Sequence, residues 1–245
     1  MKLFVRLLII PALILLIGVA CGFSIGDVGT EEPSVVPTVE VVAPVEEEPV
    51  EEEVVVESEP YFTQEFDEEP ADWSYFVQSG NEKDVNFYVD NGRMNVEINA
   101  KETYIYFTYD AYTYDNVAIS TVVENRGVNS QAVTLVCRMS DAEGWYEVNI
   151  QNDGMYFISV FDARSKGYNM LTSGGSNAIR QGKDINEYGL ECVGNELTVY
   201  INGKKVTTFK DNTYKLREGV VGISVSSFDV FPVVVEFDSV TISEP

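Results

Sequence analysis

The amino-acid sequence predicts an all-β fold for residues 61–245, and three observations support this. Turn-forming segments recur about every eight to twelve residues, apolar and polar side chains alternate between them, and no window shows a sustained helical period. Alternation places successive side chains on opposite faces of a strand, so each strand can turn one apolar face to a core. Short strands at this spacing are typical of a β-sandwich or a β-barrel.

The strands are predicted to follow one another largely as hairpins, each closed by a short turn rich in Gly and Asn. The predicted pairs are residues 86–89 with 93–98, 116–124 with 131–139, 145–151 with 155–161, and 196–202 with 205–209. Residues 220–226 and 233–242 form the last two strands. The Gly-, Ser- and Asn-rich residues 165–182 are predicted to form a loop over one sheet edge.

Parity along the strands separates a core face from a mixed face. The predicted core face carries the residues Val133, Leu135, Cys137, Met139, Tyr146, Val148, Ile150, Leu197, Val199 and Ile201. The opposite face mixes aromatic, charged and amide side chains, and this composition suits ligand recognition better than packing.

The N-terminus has the composition of an export signal, predicted over residues 1–21. Lys2 and Arg6 precede an apolar run that ends at small residues just before Cys21. This arrangement resembles a bacterial lipoprotein lipobox, in which Cys21 would be acylated and become the first residue, although Gly18 stands where such boxes usually carry an aliphatic residue. The alternative is an uncleaved signal anchor, since the apolar run is close to the minimum membrane span. Both interpretations place the remaining chain on the extracytoplasmic face of the cell membrane.

Residues 22–60 are predicted to be a disordered linker. The segment is rich in Glu, Pro and Val and contains no basic residue. Proline interrupts regular structure and like charges repel, so the segment should be extended and would hold residues 61–245 away from the membrane.

Charge and histidine content exclude several functions. The chain has 16 basic and 40 acidic residues, a formal net charge of −24 and no histidine. A surface this acidic repels phosphates, so no nucleic-acid partner is predicted. Without histidine, Ser-His and Cys-His catalysis and most zinc sites are disfavoured.

The chain has three cysteines, and Cys21 is assigned to the lipid. Cys137 and Cys192 are then left to pair in an oxidising compartment, or to remain as two buried free thiols.

A set of ordered motifs carries a family resemblance over about residues 62–242. The motifs are Leu-Val-Cys-Arg at 135–138, Gly-Trp-Tyr-Glu-Val-Asn-Ile at 144–150, Asn-Asp-Gly-Met-Tyr at 152–156, Glu-Cys-Val-Gly-Asn at 191–195, Leu-Thr-Val-Tyr-Ile-Asn-Gly at 197–203, Gly-Val-Val-Gly-Ile at 219–223 and Val-Glu-Phe-Asp-Ser-Val at 235–240. The chain resembles the concanavalin A-like lectin/glucanase superfamily, and within it the laminin-G-like and 3-keto-disaccharide hydrolase domains. The resemblance implies a jelly-roll sandwich of two antiparallel sheets, one of them concave.

The candidate ligand-binding residues lie on the mixed face. They are Arg138, Trp145, Glu147, Asn149 and Tyr200. An aromatic ring can stack on the apolar face of a sugar, while Arg, Glu and Asn hydrogen-bond its hydroxyls. The alternative is structural: Arg138 and Glu147 form a cross-strand ion pair and Trp145 covers the sheet rim.

No catalytic residue, metal or cofactor is predicted. Residues 65–69 only superficially resemble the Glu-x-Asp-x-x-Glu strand of glucanases, because Pro70 occupies the last position of the motif. The resemblance leaves calcium open as a ligand, because laminin-G-like relatives include calcium sites and Asp153, Asp162, Asp211 and Asp238 offer oxygens, but these residues lack the spacing of a calcium loop. The preferred function is non-catalytic binding of a carbohydrate or cell-surface polymer. The alternatives are a glycoside-type hydrolase and a structural or sensory ectodomain with a protein partner.

Overall fold

The computed structural model describes residues 59–245. The predicted signal segment and nearly all of the predicted linker lie outside these residues. The described part consists of β-strands and one short 3-10 helix at Glu82–Asp84, so the all-β prediction is confirmed. Nowhere between residues 59 and 245 does a helix have the length and apolarity needed to cross a membrane.

Fifteen strands make up this part of the chain. In chain order they are β1 (Phe62–Gln64), β2 (Trp73–Ser79), β3 (Val85–Asp90), β4 (Arg93–Ile98), β5 (Tyr104–Tyr114), β6 (Val117–Asn125), β7 (Gln131–Ser140), β8 (Gly144–Gln151), β9 (Met155–Asp162), β10 (Gly167–Gly175), β11 (Ile185–Val193), β12 (Glu196–Ile201), β13 (Lys204–Lys210), β14 (Gly219–Ser227) and β15 (Val233–Ser243).

The strands form two antiparallel sheets. The first sheet has the order β13-β12-β11-β6-β15-β4-β3, with β1 also paired to β15, and the second has the order β10-β9-β8-β7-β14-β5-β2. Their apolar faces pack together into one core, to which β7 and β8 contribute Leu135 and Val148, and β11 and β12 contribute Leu190 and Val199. Each such buried side chain stabilises the sandwich by roughly 1.5–3 kcal/mol. This is the jelly-roll arrangement that the family resemblance implies.

A disulfide joins the two sheets inside the core. Cys137 on β7 and Cys192 on β11 are bonded, with their Cα atoms 6.7 Å apart, and both side chains are fully buried. The first of the two alternatives for these cysteines therefore holds in the structure.

Two predictions about connectivity are wrong. Residues 116–124 and 131–139 were expected to pair, but β6 lies between β11 and β15 while β7 lies between β8 and β14. Residues 126–130 cross from one sheet to the other, a distance of about 10 Å that five residues can span. Residues 165–182 were expected to form a loop, but residues 167–175 form the strand β10, which lies at the edge of its sheet and, within residues 59–245, pairs with β9 alone.

A bulge interrupts the alternation of β7. The register with β8 shifts between Cys137 and Ser140, and Arg138 adopts the left-handed region with φ of 54°. An extra residue in one strand changes which face the following side chains occupy. Met139, predicted on the core face with Cys137, therefore packs on the outer face of the second sheet instead.

Candidate functional site

The outer face of the second sheet carries an aromatic cluster of its own, separate from the core between the sheets. Tyr106, Val136, Met139 and Trp145 are buried in this cluster. The partly buried side chains packed against them are Phe76, Tyr104, Phe161 and Val220. The outer face of the second sheet therefore has a packed aromatic layer of its own.

Glu147 is a buried carboxyl within this cluster. Its side chain comes from β8 and is 6% exposed. Its Oε2 accepts hydrogen bonds from the Trp145 Nε1–H at 2.8 Å and the Tyr106 hydroxyl at 2.9 Å. Burial raises the pKa of Glu147 to about 7, and the two hydrogen bonds, which favour the carboxylate, oppose this rise without cancelling it.

Two tyrosines connect Glu147 to the surface. The Tyr106 hydroxyl lies 2.9 Å from the Tyr168 hydroxyl. Tyr106 is buried on β5, whereas Tyr168 on the edge strand β10 is 40% exposed. Burial, followed by the nearby charge of Glu147, raises the pKa of both phenols, so both remain protonated at neutral pH.

A groove of about 350 Å³ lies over this cluster. The residues that line it are Tyr104, Tyr106, Glu147, Asn149, Gln151, Phe157, Ser159, Tyr168, Met170, Ser226 and Phe228. Aromatic rings alternate there with amides and hydroxyls, and among these residues Glu147 is the one carboxyl group. Such a mixed lining can stack on an apolar surface and hydrogen-bond a polar rim.

The structure brings three of the five predicted ligand residues to this region. Glu147 and Asn149 line the groove. Trp145 is next to it but cannot stack on a ligand as predicted, because the residue is only 6% exposed and its ring is stacked on Phe161 with centroids 4.1 Å apart. Its function in the fold is to hold Glu147 through the indole N–H.

The other two predicted residues lie elsewhere. Arg138 is 1% exposed, and its guanidinium donates to the backbone oxygens of Asp115 and Leu216, so it does not face the groove. Tyr200 is on β12 of the other sheet, where its hydroxyl donates to Glu191. The ion pair of the structural alternative is absent as well, since none of the ion pairs between described residues joins Arg138 to Glu147.

Sequence reasoning missed several groove residues. Tyr104 and Tyr106 belong to a tyrosine-rich stretch at residues 104–114, and Tyr168 and Met170 fall in the segment predicted to be a loop. The sequence did contain one indication of this strand: Tyr168 and Met170 alternate with Asn169, as side chains on opposite faces of a strand do.

The acidic residues considered for metals have other partners. Asp211 is buried and accepts hydrogen bonds from Tyr146 and from the backbone of residues 213–215. Asp153 and Asp162 each accept a backbone N–H two residues later, as turn residues do, and Asp238 pairs with Arg93. Within residues 59–245 no group of three or more Cys, Asp or Glu side chains is placed to hold a metal.

The fold and the groove together define the class of protein: a concanavalin A-like jelly-roll sandwich with an aromatic and amide-lined groove on one outer sheet face. The chain belongs to the family of 3-keto-alpha-glucoside-1,2-lyase-like domains, whose sequence profile matches residues 62–243. No curated protein matches the chain.

Several solved structures share the fold at low sequence identity. One is the carbohydrate-binding module CBM66 from Bacillus subtilis, with a TM-score of 0.51 and 12% identity over 69% of this chain and 95% of that one. Another is a Bacillus licheniformis beta-glucanase, with a TM-score of 0.56 and 12% identity over 77% of this chain and 100% of that one. A third is a protein of unknown function with a galectin-like fold from Bacillus subtilis, with a TM-score of 0.58 and 9% identity over 75% of this chain and 94% of that one.

Proposed function

We propose that the groove on the outer face of the second sheet binds a carbohydrate without cleaving it. The observation that carries this proposal is the groove's lining, which includes the half-exposed ring of Tyr168 and the amides of Asn149 and Gln151. A ring of this kind can stack on the apolar face of a sugar while amides bind its hydroxyls. The acidic balance of the chain favours a neutral polymer over an anionic one. The carbohydrate-binding module and the beta-glucanase of the same fold are consistent with this ligand class.

The same proposal includes a location. Export through residues 1–21 and acylation at Cys21 would leave the domain attached to the extracytoplasmic face of the cell membrane, with the acidic linker between them. A binding domain held at that surface would capture or retain a neutral polysaccharide.

A second candidate function is elimination from a 3-keto-α-glucoside, favoured by the family and by Glu147. In such a sugar the hydrogen on C2 is acidified by the neighbouring ketone. A base removes that proton, the C2–H electrons form a C1–C2 double bond, and the C1–O bond to the leaving group breaks. A carboxyl whose pKa is about 7 is suited to proton transfer near neutrality. Retaining hydrolysis is less well supported, because it needs two carboxyls about 5–5.5 Å apart and the groove lining contains one.

One experiment tests both functions. The protein is titrated calorimetrically with neutral glucans, α-glucosides and a 3-keto-α-glucoside, and each mixture is then analysed for products. Binding should weaken roughly tenfold in Tyr168→Ala, the loss expected when one aromatic contact is removed. The matched control is Tyr88→Ala, because Tyr88 is also 40% exposed but lies on β3 of the other sheet.

The outcomes separate the candidates. Binding with no products supports the binding module, whereas release of the leaving group that stops in Glu147→Gln supports elimination. Equal affinity of the wild type and Tyr168→Ala, or an equal loss in Tyr88→Ala, would show that the ligand does not occupy this groove.

A further inference from the structure

A second cavity, here called the trough, lies on the outer face of the first sheet, over β6, β11 and β12. Its volume is about 250 Å³. Six of the residues that line it lie on these strands and face outward, because Ile119 and Leu190 between them turn to the core. The six are Ala118, Ser120, Glu187, Gly189, Glu191 and Tyr200. None of them lines the groove on the second sheet, so the trough is a separate candidate site.

A glycine inside β11 keeps the floor of the trough open. Ser120, Gly189 and Tyr200 lie opposite one another on β6, β11 and β12. The backbone of Gly189 does not require glycine, because its φ is not in the left-handed region. A glycine in a strand interior weakens the strand and often marks a close approach of a ligand or another backbone. A Cβ at this position would lie 3.3 Å from the Tyr200 Cβ, so a larger residue would fill the floor and displace the ring.

The ring of Tyr200 forms one wall of the trough. Its hydroxyl donates to Glu191 Oε2 at 3.0 Å, and this hydrogen bond holds the ring from β12 against the neighbouring strand β11. The residue is half-buried, so part of the ring remains accessible from the trough. An aromatic ring stacks on apolar surfaces and also attracts cations to its face. The wall therefore suits a ligand that combines an apolar face with a positive charge.

Two carboxylates flank the glycine floor. Glu187 and Glu191 lie on either side of Gly189 along β11, with Cα atoms roughly 13 Å apart, the span of four residues in a strand. None of the ion pairs between described residues includes either of them. Lys205 is opposite Tyr200 on β13, on the side away from Gly189. The described residues that line the trough thus include two acids and no base, which favours a cationic ligand.

We propose that the trough binds an amino sugar, a saccharide whose ring carries a free ammonium group. The ammonium forms a charge-assisted hydrogen bond with Glu187 or Glu191, which is stronger than a bond between neutral groups. The apolar face of the sugar ring lies on the floor at Gly189, beside the ring of Tyr200. This site is additional to the groove, for which a neutral polysaccharide is proposed, and does not depend on it. A domain with both sites would hold two different polysaccharides at once.

Saccharides that differ only in the amine test the proposal. The full-length protein in a nonionic detergent is titrated calorimetrically at pH 6.0 and low salt with a glucosamine tetrasaccharide, whose four amines are protonated, and with its neutral N-acetylated form. The glucosamine oligomer should bind roughly tenfold more tightly, as expected for one hydrogen bond to a charged group. This difference should shrink as salt is added, because ions screen the attraction.

Variants of the trough show where the ligand binds. Glu187→Gln and Glu191→Gln should each weaken binding of the glucosamine oligomer roughly five- to tenfold. Gly189→Val should weaken it at least as much, because it fills the floor and displaces Tyr200 while both carboxylates remain. Thermal unfolding of each variant confirms that it folds.

The control must account for the acidity of the whole chain, which attracts cations without a specific site. Glu97 on β4 of the same sheet also accepts a tyrosine hydroxyl, that of Tyr88 at 3.3 Å, but lies outside the trough. Glu97→Gln removes the same charge as each trough variant and should leave the affinity for the glucosamine oligomer unchanged.

Several results would overturn the proposal. Equal affinity for the two tetrasaccharides, or binding of neither, would exclude recognition of the amine. An equal loss in Glu97→Gln, or full affinity in Gly189→Val, would place the ligand outside the trough. Tetralysine has the same net charge as the glucosamine oligomer, and equal affinity for it would show selection of charge without selection of a sugar. Binding of neutral glucans in the groove is measured separately with Tyr168→Ala, so either site can fail without the other.

Discussion

Glu147 has an energetic cost for the folded protein that depends on pH. Its pKa is raised from an ordinary value of 4.5 to about 7 by burial. Between these values the folded state binds more protons than the unfolded state, so stability is highest at low pH and falls as pH rises through about 7. This rise in pKa corresponds to roughly 3 kcal/mol.

Glu147→Gln should therefore stabilise the protein at pH 8, by up to about 3 kcal/mol in the free energy of unfolding, and should have almost no effect at pH 4.5. The amide oxygen can still accept from Trp145 and Tyr106, so the substitution removes the buried charge and keeps the hydrogen bonds. Urea unfolding at several pH values measures the difference. A stabilisation that did not vary with pH would mean that Glu147 is not the group responsible.

At this same scale the sequence predicted part of the site. Alternation along β8 placed Glu147 and Asn149 on the mixed face, because parity depends only on neighbouring residues. Parity does not show whether a neighbouring strand covers a side chain. Trp145 shares that face and yet lies buried against Phe161, and Phe161 comes from another strand whose register the sequence does not specify.

At the scale of elements, strand existence was predictable and strand irregularity was not. The alternation of β7 holds as far as Cys137 and then fails at the bulge, which moves Met139 to the outer face. Arg138 takes a left-handed conformation there without being Gly or Asn, the residues that usually indicate it. It is held by the backbone oxygens of Asp115 and Leu216, which come from distant parts of the chain. Contacts between such distant residues cannot be predicted from a local sequence pattern.

The disulfide gives a prediction about how β7 and β11 are held together. Cys137 and Cys192 are 55 residues apart in sequence, and closing a loop of that length stabilises by about 4 kcal/mol in the chain-entropy model. Replacing both cysteines by Ala should lower the free energy of unfolding by about this amount in chemical denaturation. A reducing agent should destabilise the wild type similarly and leave the double variant unchanged. Insensitivity of the wild type to reduction would show that the bond does not contribute.

At the scale of the whole molecule, the sequence predicted two layers of strands but not their membership. β6 and β7 are adjacent in the chain and were expected to pair, whereas each is central in a different sheet. Tyr200 was grouped with Trp145 for the same reason, since nothing local to β12 shows which sheet it joins. The family resemblance predicted the two-sheet architecture. The location of the groove depends on the order of strands within each sheet, which the sequence did not show.

The disulfide and the predicted lipid anchor both require that the chain leaves the cytoplasm. Structural disulfides persist mainly outside the cytoplasm, which agrees with export through residues 1–21.

If Cys21 is acylated, cells given radiolabelled palmitate should label the wild-type protein and not Cys21→Ser, and mass spectrometry should find Cys21 at the N-terminus. More than one acyl chain is needed for firm attachment, so the labelled protein should resist extraction by salt. The Cys137→Ala/Cys192→Ala variant is the matched control, because it removes the other two cysteines and should still be labelled. An unlabelled wild-type protein that retains Met1 would instead support the uncleaved signal anchor, since the apolar run before Cys21 would then be what holds it in the membrane.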